Sequence, residues 1–377
     1  MRIAVLTTGR FHVLDLAREL QALGHDVRFH SWVPRGRTRR FGLPEASARS
    51  GFLWVAPFVL LGRALAGTPL AGFVEDAQRA WWDWVVSRLL EPCDAVIAMS
   101  GCFPRSTHRA RLRWGAAILV ERGSRHVLSQ KQILDGVRAL HPGAQSVGDA
   151  VVRRELRDYA EADTIVVASR HVVDSFVEQG VPATKLFRNP YGVDLSMFPP
   201  TPAPAGPPTL LMVGSWCYRK GCDLLVEAVR GLDVRVLHAG SLGDCPFPAD
   251  GAFRSLGPLD QASLKDAYAQ AHVMVLPSRE EGLALVQAQA LSCGVPVVCS
   301  DRTGGEDLRE LLGGTGMVTV VRSGDVAGLR AGIEQDLAAA LPRRGLRSAA
   351  GPLDGLSWGA YGRRYDAFLR RQAGEAA

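Results

Sequence analysis

The chain has 377 residues, of which 47% are hydrophobic and 22% charged. This is enough for about two ordinary domains and excludes a disordered chain. A formal net charge of +6 suits an anionic ligand or surface, but it is too dilute for a nucleic-acid-binding protein. The seven cysteines form no CxxC pair and no zinc-type cluster, so we expect reduced thiols in a cytoplasmic protein and no metal site.

The first half of the chain alternates strand-like and helix-like patterns. An apolar run at residues 2–7 leads into a glycine-containing turn, then into apolar residues at helical spacing that stop at Gly24, and then into a second apolar run. Such a strand–helix–strand unit with short loops indicates a parallel sheet. Similar buried-strand runs follow at residues 95–99, 116–120 and 164–168.

A proline-rich stretch at residues 199–208, PPTPAPAGPP, interrupts this alternation. Proline at that density continues neither a helix nor a central strand, so we predict a linker between domains 1–198 and 209–355. The second domain contains five more strand-like runs, at residues 209–213, 234–238, 273–276, 295–299 and 317–321. We therefore predict two doubly wound, Rossmann-like α/β domains facing each other across a cleft, which is where ligands bind in such folds. The tail, residues 356–377, is predicted to form a helix that packs back toward the first domain.

Residues 52–61, FLWVAPFVLL, are the most apolar stretch. About ten residues that include Pro57 are too few to span a bilayer, which takes roughly 20. Four arginines precede them between Arg35 and Arg40, and the sequence WWDW follows at 81–84. This combination fits either peripheral contact with an anionic membrane or a charged loop beside a core helix.

The segment 276–308 contains the densest chemical signal. We expect a strand that ends near Pro277, a charged turn presenting Glu280 and Glu281, and a helix that begins near Gly282. Backbone N–H groups at a helix start or in a glycine turn bind anions, and a carboxylate beside them suits sugar hydroxyls.

This segment resembles the hallmark of family-4 (group 1) retaining glycosyltransferases of the GT-B fold. The resemblance implies that Glu281 binds hydroxyls of a donor sugar, and that Gln289 stands where the family has a second glutamate for the nucleotide ribose. Glutamine can still bind ribose hydroxyls but carries no charge. The neighbouring donor-binding positions implied by the resemblance are Gly282, Leu283, Ala284 and Leu285.

A second motif, VGSWCYRKGCDL at residues 213–224, resembles the family's diphosphate-binding segment. The family has a lysine six residues after a glycine, and Gly214 and Lys220 have that spacing. The family's arginine directly after the glycine is Ser215 here, so Arg219 is the candidate second cation. Two cations on a diphosphate stabilise it as a leaving group without a metal.

Further resemblances are weaker. Gly9, in the sequence GRFHV, is similar to the family's first-domain glycine loop, and Gly305 ends a glycine turn; both are expected to bring backbone N–H groups to the phosphates. Residues 257–268 resemble the segment that frames the base. On the acceptor side, His126 is the candidate catalytic histidine, with Glu121 and His12 as rivals.

Taken together, the resemblance implies a retaining hexosyltransferase. It would use a nucleotide diphosphate sugar as co-substrate, without a cofactor or metal, to glycosylate a sugar, a lipid-linked or a small-molecule acceptor. Lys220, Glu281 and His126 are the predicted catalytic residues. Three alternatives stay open: a degenerate GT-B scaffold that binds nucleotide sugar without efficient turnover, another GT-B reaction such as that of an epimerase or phosphorylase, and a nicotinamide oxidoreductase, which the missing GxGxxG fingerprint disfavours.

Overall fold

The computed structural model describes residues 1–68, 70–348, 351 and 353–374. Its first sheet has seven parallel strands in the order β3-β2-β1-β4-β5-β6-β7. The strands of this sheet are β1 Arg2–Leu6, β2 Asp26–Ser31, β3 Ala48–Ser50, β4 Ala95–Met99, β5 Ala117–Arg122, β6 Thr164–Val167 and β7 Leu186–Arg188.

The second sheet has six parallel strands in the order β10-β9-β8-β11-β12-β13. Its strands are β8 Thr209–Val213, β9 Arg235–Ala239, β10 Phe253–Ser255, β11 Val273–Leu276, β12 Val297–Ser300 and β13 Val318–Val321. Each sheet carries helices, which is why the central strands are almost entirely apolar and buried. The predicted fold class, two Rossmann-like α/β domains, is confirmed.

The helices of the first domain are α1 Phe11–Ala22, α2 Arg35–Arg39, α3 Phe52–Ala64, α4 Ala71–Leu89, α5 Pro104–Trp114, α6 Val127–Leu140, α7 Asp149–Glu161 and α8 Arg170–Glu178. Those that follow β8 are α9 Cys222–Ala228, α10 Gln261–Gln270, α11 Leu285–Ser292, α12 Gly305–Leu311, α13 Val326–Ala340 and α14 Trp358–Gln372. No helix in the described residues is long and apolar enough to cross a membrane.

The ten strands expected from apolar runs are present, within two residues at each end. The sequence does not predict β3, β7 and β10, which have three residues each and lie at sheet edges. An edge strand has one neighbour, so it needs no long apolar run. The helix expected to begin near Gly282 begins at Leu285 instead, because the backbone of Ala284 is still extended.

The proline-rich stretch contains no helix or strand and lies against the second domain, where Thr201 donates its backbone N–H to the carbonyl of Cys293 at 3.1 Å. The tail helix α14 lies on the first domain. Its Tyr365 hydroxyl donates to Glu121 at 2.8 Å, and its Asp366 is 2.7 Å from His25 Nε2. Residues 375–377 of the predicted tail, and 349, 350 and 352 of the predicted second domain, lie outside the described residues.

Candidate active site

The first part of the site is the loop after β8. Strands β8 and β11 are parallel neighbours, so the segments that follow them leave the sheet at the same edge. Gly214 has a φ of +129°, which an L-residue rarely adopts, and a Cβ there would lie 3.3 Å from Lys220 Cε. A 3₁₀ turn at Tyr218–Lys220 returns the chain to this edge. The glycine-to-lysine spacing thus places the lysine stem directly over the glycine.

The second part is the segment after β11, where Glu281 receives both cations. Lys220 Nζ contacts Glu281 Oε1, and Arg219 Nη1 donates to the same oxygen at 2.9 Å. Burial alone would raise the pKa of Glu281, but Lys220 and Arg219 together lower it below its usual value. The carboxylate is therefore ionised at neutral pH and can accept hydrogen bonds from hydroxyl groups.

Glu280 does not lie on an exposed turn, as the sequence pattern indicated. It is fully buried and faces the first domain, where its carboxylate accepts hydrogen bonds from the backbone N–H of Arg125 at 3.3 Å and from Gln130 Nε2 at 3.0 Å. Arg219 Nη1 lies 3.7 Å from the same carboxylate. Of the two adjacent glutamates, one thus joins the domains and the other meets the two cations.

Gly282 lies where the two domains touch. Its carbonyl accepts hydrogen bonds from Ser169 Oγ at 2.8 Å and from His171 at 2.9 Å, and a Cβ at this position would overlap the carbonyl of Gly123. Only glycine allows this approach. The next residues, Leu283 and Ala284, are buried, and the backbone of Ala284 is extended.

A cavity of about 470 Å³ lies between the domains. The second domain contributes Leu285 and Gln289 to its wall, the tail contributes Trp358, and the first domain contributes the residues after β1 and after α2, among them Arg10, His12 and Arg40. Gln289 Oε1 accepts a hydrogen bond from the Tyr268 hydroxyl at 3.0 Å. The predicted ribose-binding residue therefore borders a space large enough for a small ligand.

The two predicted glycines of the phosphate loops lie in different surroundings. Gly9 follows β1 and donates its N–H to Thr7 Oγ1 at 3.2 Å. Gly305 is the first residue of α12, and a Cβ there would overlap Cys299 Sγ, so close packing of α12 on β12 requires a glycine. Among the described residues, no group of three or more histidine, cysteine, aspartate or glutamate side chains is placed to hold a metal ion.

Comparison with known proteins decides the family. A model described as "Glycosyl transferase 4-like domain" matches residues 8–192, and one described as "Glycosyl transferases group 1" matches residues 207–338. The chain belongs to the group 1 glycosyltransferases. The resemblance read from the Glu281 and Lys220 motifs is thereby confirmed. The first matched range contains β2 to β7 of this GT-B structure, and the second contains all six strands of the second sheet.

Curated relatives are about 30% identical to this chain over the aligned regions. A D-inositol 3-phosphate glycosyltransferase of Xylanimonas cellulosilytica is 29% identical over 192 residues, 43% of this chain and 46% of the relative. A GDP-mannose-dependent phosphatidylinositol monomannoside mannosyltransferase of Mycolicibacterium smegmatis is 29% identical over 263 residues, 60% of this chain and 68% of the relative. The chain spans about half the length of the first of these relatives.

Solved structures with the same fold superpose over nearly the whole chain. Sucrose-phosphate synthase from Thermosynechococcus elongatus has a TM-score of 0.69 at 18% identity and covers 99% of both chains. Anabaena HepE, solved in complex with UDP-glucose, has a TM-score of 0.63 at 13% identity and covers 98% of this chain and all of its own. At this identity the likeness establishes the fold.

The structure does not bring His126, the predicted acceptor-side histidine, to the candidate site. Its side chain is buried in the first domain, with the ring between Tyr159 and Phe176 at centroid distances of 5.1 and 4.9 Å. Nδ1 accepts the backbone N–H of Leu128 at the start of α6, and burial lowers the pKa of His126 to about 4. This histidine is a core residue and a helix cap, because β5 continues to Arg122 and the following turn enters the core.

His12, a rival candidate in the sequence, does reach the cavity. Its Nε2 lies 3.0 Å from Glu121 Oε2, and its ring lies 4.2 Å from the ring of Tyr191. Glu121 is almost completely buried and also receives the Tyr365 hydroxyl. The two rivals therefore form one hydrogen-bonded group with the tail helix. Sequence reasoning found both residues but could not pair them, since 109 positions separate them.

Proposed function

We propose that the protein transfers a hexose-type sugar from a nucleotide diphosphate sugar to an acceptor hydroxyl, with retention of configuration and without a metal ion. The observation that supports it most is the convergence of Lys220 and Arg219 on Glu281 at the carboxyl edge of the second sheet. Family membership, and a structural neighbour solved in complex with UDP-glucose, support the same donor class.

Each group of the site has a role in this reaction. The ionised Glu281 accepts hydrogen bonds from hydroxyls of the donor sugar, while Lys220 and Arg219 stabilise the diphosphate as its charge grows. Gln289 binds the ribose. The bond between the anomeric carbon and the diphosphate oxygen breaks as the acceptor oxygen bonds to that carbon from the same face. The acceptor proton passes to the departing diphosphate oxygen, so no protein nucleophile is required.

A binding panel identifies the nucleotide of the donor. It consists of UDP, GDP, ADP, dTDP and the matching sugar nucleotides. A nucleotide present at 100 times its dissociation constant should add about 2.7 kcal/mol to the free energy of unfolding, measured as a rise in Tm without added metal. The product of a reaction with the responding sugar nucleotide then gives the anomeric configuration. Binding without turnover would identify the chain as a degenerate scaffold, and no binding at all would overturn the proposal.

Glu281→Ala tests whether Glu281 contacts the sugar or the nucleotide of the donor. We expect turnover to be lost while the nucleoside diphosphate binds nearly as tightly as to wild type, because Glu281 contacts the sugar in this proposal. Glu227→Ala changes an exposed glutamate of α9 and is the matched control. Equal loss of turnover and of nucleotide affinity in Glu281→Ala would mean that its partner is the nucleotide.

We also propose that this cytoplasmic enzyme binds reversibly to an anionic membrane through α2, α3 and the start of α4. Large apolar side chains are exposed on this surface, including Leu53 at 84%, Leu60 at 65% and Phe73 at 74%. Helix α2 and the residue after it, residues 35–40, contain four arginines and no carboxylate. Strands β2 and β3 are parallel neighbours, so α2 and α3 start at the same edge of the sheet. Exposed apolar groups beside arginines are the composition that binds anionic lipid.

Sedimentation with vesicles tests this contact. The protein should sediment with vesicles that contain phosphatidylglycerol and should remain in solution with pure phosphatidylcholine. Leu53→Asp with Phe73→Asp should abolish sedimentation, whereas Leu140→Asp, at an exposed leucine of α6, should not. If the double variant instead converts a dimer to a monomer and lipid binding is absent throughout, the surface joins two copies of the chain and the membrane proposal is wrong.

A further inference from the structure

Lys220 and Arg219, the two cations of the candidate site, already contact carboxylates of the protein. Lys220 and Arg219 both contact Glu281, and Arg219 also donates to the Glu280 carbonyl at 2.9 Å and lies near the Glu280 carboxylate. Two positive charges thus face two carboxylates. Ser215, the residue that follows Gly214, has no charge. Positive charge from elsewhere in the chain would add to the charge that Lys220 and Arg219 supply to a diphosphate in the proposed function.

The first domain has positive charge at the cavity that Gln289 borders. Arg10 and Arg40 both line it, and the Arg10 guanidinium lies 3.5 Å from the centre of the Phe41 ring. In the described part of the chain, neither guanidinium has a hydrogen-bond acceptor or an ion-pair partner within contact distance. The nearby Arg18 differs, because it is bound to Asp15 at 2.6 Å.

The surroundings of Arg10 disfavour an isolated positive charge. Burial lowers the pKa of Arg10, and Asp15 opposes this while Arg37 and Arg18 add to it. Asp15 is already bound to Arg18. A second carboxylate at the cavity, Asp194, accepts hydrogen bonds from the backbone N–H groups of Ser196 and Met197. An anion placed between Arg10 and Arg40 would relieve this imbalance.

The backbone that presents Arg10 is held in an unusual conformation. The next residue, Phe11, has a φ of +34°, and its ring would lie 3.1 Å from a Cβ at Gly9. An L-residue held at positive φ is strained, and such strain is typical of ligand-binding loops. The strained turn at the carboxyl end of β1 points to a functional constraint on the residue directly before it.

We propose that Arg10 and Arg40 form a phosphoryl-binding subsite on the first-domain wall of the cavity, opposite Gln289. The chemistry fits two sources: the diphosphate of the nucleotide donor, for which Arg10 would provide the charge missing at Ser215, or a phosphate group on the acceptor. The choice between these sources rests on the proposed function, whereas the subsite itself does not.

Isothermal titration of Arg10→Gln and Arg40→Gln tests the subsite, with Arg35→Gln as the matched control because Arg35 is an exposed arginine of α2. The first probe pair is the nucleoside diphosphate that stabilises wild type most and its unphosphorylated nucleoside. If the subsite holds the donor diphosphate, Arg10→Gln raises the dissociation constant of the nucleoside diphosphate about ten- to a hundredfold, as expected for a lost charge-assisted hydrogen bond. The nucleoside binds as before, and Arg35→Gln behaves as wild type.

The second probe is inorganic phosphate, titrated into protein saturated with that nucleoside diphosphate. If the subsite holds an acceptor phosphate, Arg10→Gln leaves the nucleotide affinity unchanged and weakens phosphate binding by a similar factor. If both probes bind Arg10→Gln and Arg40→Gln as tightly as they bind Arg35→Gln, the subsite does not exist. If wild type binds no nucleotide, the proposed function fails, and inorganic pyrophosphate titrated into the free protein still decides the subsite by the same comparison.

Discussion

The two walls of the interdomain cleft differ in how their charges are paired. On the second-domain side, Lys220 and Arg219 meet the carboxylate of Glu281, so the groups are fixed in place by each other. On the first-domain side, Arg10 and Arg40 line the cavity, and among the described residues neither has an ion-pair partner. In the proposed function, the paired wall holds a hydroxyl-bearing sugar through Glu281 and the diphosphate through its two cations. The first-domain wall offers two further guanidinium groups to an anion. The following predictions test this contrast, starting with the largest expected effect.

Removing the buried lysine should have the largest effect. Lys220→Ala takes away the cation nearest Glu281 and should lower kcat by about 100- to 1000-fold, the effect of losing one preorganised group that stabilises developing negative charge. The measurement is the initial rate of sugar transfer from the donor found in the nucleotide panel. Lys185→Ala is the control, since Lys185 Nζ donates to the Ala160 carbonyl on the first domain. A Lys220→Ala variant with near-normal turnover would remove this lysine from the mechanism.

The paired wall could be predicted from the sequence because its residues lie in short segments directly after two neighbouring strands. Gly214, Lys220 and Glu281 each sit within about seven residues of a strand end, and an apolar strand is easy to recognise. Adjacent strands then bring the two segments together. What the pattern missed is the burial of Glu280, because local sequence does not show that another domain covers that turn.

The first-domain wall was harder to predict because it is assembled from distant parts of the chain. His12 follows β1, Glu121 ends β5, and Tyr365 lies in the last helix. His126 looked suitable because it follows the same strand as Glu121, but the turn after β5 directs it into the core. Periodicity identifies strands and helices, and it does not say which loop residue turns inward.

A pair of histidine variants tests that reassignment. His12→Asn removes a side chain that lines the cavity and should lower kcat/KM by about tenfold or more, because the contact with the buried Glu121 is lost. His126→Asn keeps a residue that can cap α6 but removes the ring between Tyr159 and Phe176. It should lower the free energy of unfolding by about 1–3 kcal/mol and leave kcat within twofold of wild type. If His126→Asn is the inactive variant although it is folded, the assignment from the structure is wrong.

The contact between the two walls can be broken at a single glycine. A Cβ in Gly282→Ala would overlap the Gly123 carbonyl, so the domains must separate or the backbone must shift, at a cost of about 1–3 kcal/mol. Small-angle scattering should show a larger radius of gyration, and urea unfolding a lower stability. Gly136→Ala, in α6 with no atom within 4 Å of the new Cβ, should be stabilised by about 0.4–1 kcal/mol. Identical scattering curves for Gly282→Ala and wild type would show that the backbone shifts locally and the domains do not separate.

Acid should weaken the same contact through His171. Its Nε2 lies 2.9 Å from the Gly282 carbonyl and its Nδ1 lies 3.3 Å from Arg125 Nη1, an arrangement that fits the neutral ring with the proton assigned to Nε2. Burial lowers the pKa of His171 to about 4, and Gly282 opposes this while Arg125 adds to it.

The sign of the pH effect follows from these shifts. The unfolded chain takes up the proton near pH 6.5 and the folded protein only near pH 4, so the stabilisation is complete above pH 6.5 and is lost as the pH falls toward 4. As the pH falls from 7 to 5.5, the depressed pKa of His171 should lower the free energy of unfolding by about 1 kcal/mol.

His171→Asn should therefore flatten the pH dependence of urea unfolding by about that amount. His126→Asn should flatten it similarly, since burial also lowers the pKa of His126 to about 4. Scattering separates the two: His126 lies in the core of one domain, whereas His171 holds the second domain through Gly282. Acid should increase the radius of gyration of wild type and of His126→Asn alike, and His171→Asn should lose that response. An acid-induced expansion that persists in His171→Asn would place the pH-sensitive contact elsewhere in the interface.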